Sequence, residues 1–119
     1  MELTIGKKIY TFKFGVKFIR ELDKELPIEQ EGIKYGLALT AKVLPELRSA
    51  NVNTLAKVLS LANQTEENRI TQDELDNYID DVEDIEALFD QVLKSISESN
   101  AGKLATKNFD KQMKKAQKK

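Results

Sequence analysis

The sequence predicts a mainly α fold, with a small N-terminal β-hairpin packed on a bundle of about four to five helices and a lysine-rich C-terminal tail. Three observations carry this expectation. Apolar residues recur at three- and four-residue steps in several stretches between Phe18 and Ile96. Short β-prone runs flank Gly6-Lys7-Lys8. From Lys103 onward the apolar stripe thins, and lysines recur at every third or fourth position.

In the hairpin, Leu3, Ile5, Ile9, Phe12 and Phe14 lie on either side of Gly6-Lys7-Lys8, where glycine supplies the backbone angles of a tight turn. A lone hairpin is marginal in water, so it must lay an aromatic face, Tyr10 or Phe12 and Phe14, on the helices that follow. Phe18, Ile19, Leu22 and Leu26 then give an amphipathic helix that ends at Pro27. A second helix is expected over residues 33–44, with Gly36 inside it and Pro45 interrupting or restarting it. Asn51 or Asn53 caps a short helix containing Leu55, Val58, Leu59 and Ala62, and residues 63–69 read as a loop. Thr71 with Glu74 fits a capping box for a helix bearing Leu75, Tyr78 and Ile79.

Asp81 or Asp84 caps the next helix, whose stripe of Ile85, Leu88, Phe89, Val92, Leu93 and Ile96 belongs at the centre of the core. Ala101-Gly102 reads as a stop signal. The expected organisation is therefore one helical domain with its hairpin over residues 1–100, and a basic tail or late helix over residues 101–119. Leu104, Phe109 and Met113 are too few to anchor that segment strongly, although Phe109 and Met113 would make one weak apolar edge in a helix, so its removal should leave folding stability nearly unchanged.

The chain has no cysteine and no histidine. That removes disulfides, thiolate nucleophiles, imidazole bases and the usual zinc ligands, so no enzyme and no cofactor are expected. No glycine loop fits a phosphate-binding pattern, since Gly32 and Gly36 match neither the Walker nor the dinucleotide spacing. Nothing at the N-terminus resembles a signal peptide and no apolar run is long enough to span a bilayer, so the expected place is the cytoplasm, with no membrane partner.

Charge is segregated. Residues 73–90 hold nine acids and no base. Residues 1–99 carry 12 bases against 19 acids, a net of −7, and residues 100–119 carry seven lysines against Asp110, a net of +6, which together give the overall −1. The acids lack the alternating ligands and turn glycine of a calcium loop and read as solvated faces that favour helix N-termini. The lysines could neutralise phosphates, but there is no arginine among them to read base edges, Phe109 is the one stacking surface, and the acidic body repels a polyanion. Nucleic acid is therefore not the expected partner and is kept as the alternative, in which the tail makes the chain a nucleic-acid-binding or regulatory module. Lys103, Lys107 and Lys111, with Asp80 and Asp84, are the expected partner-binding residues.

Two stretches, ELTIGKKIYTFKFGVKFIRELDKEL at residues 2–26 and YIDDVEDIEALFDQVLKSISESN at residues 78–100, join GIKYGLAL and the helix over residues 51–63 in an order that resembles the tail assembly chaperones of long-tailed phages of Gram-positive hosts. The resemblance covers nearly all of residues 1–100; the segment beyond is not diagnostic. It implies a mainly helical protein without catalytic activity that binds and solubilises the tape measure protein during tail morphogenesis in the host cytoplasm and is missing from the mature virion. It also implies a longer, frameshifted form, for which codons of Lys114-Lys115 or Lys118-Lys119 are candidate slippage sites. Self-association is expected because a coat on a long filament gains from contacts between neighbouring copies, and the hairpin edge and the charged tail both offer such contacts.

Overall fold

The computed structural model describes residues 1–25 and 38–117. β1 (Glu2–Ile5) and β2 (Lys8–Thr11) pair antiparallel with Leu3 opposite Tyr10 and Ile5 opposite Lys8. The turn is the dipeptide Gly6-Lys7, with φ of +56° and +70°, and Lys8 already belongs to β2. Positive φ at both central residues matches the right-handed twist of the strands. Alternation sends Leu3, Ile5 and Tyr10 inward and leaves Ile9 exposed. The buried aromatic face takes in Tyr10, Phe12 and Phe14 together. Past the sheet, Phe14 meets Phe18 edge to face at 5.2 Å between ring centres, which couples the hairpin to the first helix.

That helix, α1 (Val16–Glu25), buries Phe18 and Leu22. The predicted stop at Pro27, with Leu26, and the first part of the second predicted helix, with Gly36, lie outside the described residues. From Ala38 the chain makes a π-helical turn over Leu39–Val43, in which the Leu44 amide donates to the Leu39 carbonyl, and runs directly into α2 (Leu44–Arg48). Pro45 therefore restarts the helix rather than ending it. It sits in the first turn of α2, and the widened turn before it accommodates a residue that has no amide hydrogen to donate. Ala50, at φ +59°, closes α2: its amide donates to Leu47 O and that of Asn51 to Glu46 O, which satisfies carbonyls left over at the helix end.

Of the two candidate caps for α3 (Val52–Gln64), the structure uses Asn51, whose side chain accepts from the Thr54 amide at 3.1 Å. The predicted loop begins too early. Asn63 is still helical and is only 1% exposed. Its side-chain amide donates to Thr11 O at 3.0 Å and to Asn68 O at 2.8 Å, and its oxygen accepts from the Ile70 amide at 2.7 Å. One buried carboxamide thus ties together the end of β2, the end of α3 and the loop that follows, as burial of a polar group demands.

α4 (Gln72–Asp81) starts at Thr71, which accepts from the Glu74 amide, and α5 (Ile85–Glu98) starts at Asp84, which accepts from the Ala87 amide at 3.0 Å. Asp84 is thus the cap, and Asp81 is the last residue of α4. Leu88, Phe89, Val92 and Ile96 are buried as their spacing predicts, with Ile85 and Leu93 partly covered.

The largest departure follows α5. Ala101-Gly102 does not stop a helix but lies in the first turn of another, α6 (Asn100–Gln117). Ser99 is the break: extended itself, it accepts from the Gly102 amide through its hydroxyl at 2.9 Å and caps α6. Gly102 is buried against the last turn of α5, and a Cβ there would overlap the Ile96 carbonyl oxygen. This glycine is required by close approach rather than by a left-handed backbone. Of the three apolar residues expected to be too few to anchor the segment strongly, Phe109 is buried, and so is Ala105. The Arg48 guanidinium lies over the Phe109 ring, 4.9 Å from its centre, and pairs with Asp110 at 3.2 Å. Leu104 is 68% exposed, and the Met113 side chain lies outside the described residues. The fold is mainly helical with an N-terminal hairpin, as predicted, and it has six α-helices among the described residues.

Candidate partner-binding site

Three surfaces have the exposure and chemistry to meet a partner. On α4, Leu75 and Ile79 point into the core, so Asp73, Asp76 and Asp80, at steps of three and four, form an exposed stripe on the other side. Asp76 accepts from Gln72 at 2.8 Å, and among the described residues none of the three is in a salt bridge. Asp84, one element later, is exposed but already occupied in part by capping α5. Among the described residues no three of these acids gather as metal ligands would. No described helix is long and apolar enough to cross a membrane.

On α6, Lys103, Lys107 and Lys111 are all exposed and lie at four-residue steps. With about 100° per residue, they fall on one side of the helix, opposite the buried Gly102, Ala105 and Phe109. Lys114 shares that side and Leu104 borders it, both exposed. The structure brings the three predicted lysines together on one ridge. Among the described residues no salt bridge joins them to Asp80 or Asp84.

The third surface was not legible in the sequence. A cleft of about 540 Å³ opens between the β2–α1 corner and the α5–α6 junction, lined by Phe14, Gly15, Val16, Phe18, Ser99, Asn100 and Ala101, with Lys13, Lys17, Thr65 and Glu66 completing its wall. Val16, 65% exposed at the start of α1, supplies an apolar contact. No periodicity joins residues 14–18 to 99–101; the one hint is Val16 standing off the inward stripe of α1.

Away from these surfaces, Glu46 accepts from the Thr54 hydroxyl and pairs with Lys42 at 3.3 Å. The Thr54 hydrogen bond, with help from Lys42 and against partial desolvation, holds its carboxyl below the usual carboxylate range.

Fold and surface together define a small, mainly helical protein with an open cleft and oppositely charged faces on different elements. Residues 2–111 match the family model for phage tail assembly chaperone protein, TAC, and the chain belongs to that family. The match runs well past Asn100 and takes in Phe109, so most of α6 lies within the family's span rather than beyond it. No curated protein and no solved structure matches the chain.

Proposed function

We propose that this chaperone binds the tape measure protein of its phage and keeps it soluble until the tail tube encloses it. Membership of residues 2–111 in the tail assembly chaperone family carries the reading. The cleft beside Val16 supports it, because Phe14, Val16 and Ala101 form an apolar seat for an anchor side chain from a partner helix, with Lys13, Lys17 and Glu66 as a polar surround. In this reading the protein is a binder and not an enzyme, works in the host cytoplasm, and departs before the virion is complete. Copies of the chain associate with one another, and a longer frameshifted product joins them.

The test is co-expression of the tape measure protein with and without the chaperone. The expected result is a soluble tape measure protein that co-purifies with the chaperone, and co-purification reduced at least about tenfold by Val16→Asp, the loss of about 1.4 kcal/mol of binding. Val16 is exposed, so the substitution should leave the chaperone's own melting temperature nearly unchanged. A tape measure protein that stays equally insoluble with the chaperone present would remove the reading.

A further inference from the structure

We propose that the α6 lysine ridge of one copy docks on the α4 aspartate stripe of a second copy, so that the chain assembles head to tail. The proposal rests on the reading that copies of this protein associate, and it assigns the contact.

Lys103 to Lys111 is eight steps of helix, about 12 Å, and Asp73 to Asp80 is seven, about 10.5 Å, at the helical rise of 1.5 Å per residue. Both rows are exposed, both lie along a single helix face, and they carry opposite charge. Among the described residues no salt bridge joins any of these lysines to any of these aspartates, and the ion pair described for α6, Arg48–Asp110, uses its acid. The docking of α6 explains this. Phe109 and Ala105 fix one side of the helix on the body, and the lysines are thereby turned outward, where a second molecule can reach them. Leu104, exposed at the edge of the ridge, gives the contact an apolar element. Because the two rows lie on different elements, the contact is heterologous and leaves a free ridge at one end and a free stripe at the other, which permits an open chain of copies.

The experiment is sedimentation velocity over a range of concentrations on the full chain, on Lys107→Glu/Lys111→Glu, on Asp76→Lys/Asp80→Lys, and on an equimolar mixture of the two variants. All four substituted residues are exposed, and circular dichroism checks that each variant keeps its helices. Should a reversal variant lose helix, Lys107→Gln/Lys111→Gln and Asp76→Asn/Asp80→Asn replace it. The wild type should associate at about 50 mM salt and revert toward monomer at about 500 mM, where screening shortens the reach of surface charge. Each reversal variant alone should associate at least about tenfold more weakly, and the mixture should recover association between unlike partners. A wild type that stays monomeric at low salt would overturn self-association and this contact together, while leaving tape measure binding to its own test. Variants that associate as the wild type does would overturn this contact and leave self-association standing. If reversal of the lysines spares self-association but abolishes binding to a fluorescent single-stranded DNA probe, the ridge serves a nucleic acid and the proposal is wrong.

Discussion

α5 and α6 meet at Ser99 and pack on the same core, but they are held there by different means. α5 buries Leu88, Phe89, Val92 and Ile96 in one sustained stripe. α6 is longer and much more polar, and its described contacts with the core are Gly102, Ala105 and Phe109. A helix with four large buried side chains is secured by area alone, at about 1.5–3 kcal/mol for each. A helix whose described side chains include one large anchor depends on how closely it can approach and on what covers that anchor. For α6 these are the missing Cβ of Gly102 and the Arg48 guanidinium over Phe109. The comparison separates a helix that shapes the core from one that positions a charged surface on it.

The sharpest way to test that contrast is to truncate one large side chain in each helix. Leu88→Ala should cost about 2–5 kcal/mol in a denaturant titration and shift unfolding of the whole domain. Phe109→Ala should release α6 first, with hydrogen exchange in residues 103–111 approaching that of an unstructured segment while amides of α5 stay protected. Equal loss of protection in both helices after Phe109→Ala would mean that α6 is part of the central core and the contrast is false.

A smaller effect is expected at the junction. Gly102→Ala introduces a Cβ that overlaps the Ile96 carbonyl, and relief of that clash should cost about 1–3 kcal/mol, more than the gain of about 1 kcal/mol in helix propensity. Thermal melting of the variant checks the sign; a stabilised variant would show that α6 is not seated against α5. The opposite sign is expected at Ala50, where φ of +59° strains a residue with a Cβ. Ala50→Gly should stabilise the protein by about 1 kcal/mol in the same assay, because it relieves the strain that closes α2. A glycine stands where space is short, and an alanine stands where the backbone turns left-handed.

The smallest effect concerns acid. The carboxyl of Glu46 titrates lower in the folded chain than in the unfolded one. Its contribution is therefore present above the unfolded value of about 4.3 and is lost as pH falls through the lower folded value. Wild type should exceed Glu46→Gln in stability near neutral pH, and the gap should close as denaturant titrations move toward pH 3. A gap that widens on acidification would contradict the Thr54 and Lys42 assignment.

The features that sequence alone determined are local ones. Periodicity placed the stripes of α1, α3, α4 and α5, and caps at Thr71 and Asp84, one of two candidates, followed from hydrogen bonds that reach only three residues along the chain. The hairpin was legible because its turn and its alternation lie within ten residues. Lys103, Lys107 and Lys111 could be named from charge, since their spacing is their own. Tertiary structure decided the rest: that Gly102 begins a helix against Ile96, that Phe109 is covered by Arg48, that Asn63 bridges Thr11 to Asn68 and Ile70, and that residues 14–18 and 99–101 share a cleft. The physical reason is that a glycine, a lone phenylalanine or a helix-ending asparagine has no periodic signature. Its meaning is set by the atoms that arrive beside it from elsewhere in the chain, and those same contacts turn the lysines of α6 outward.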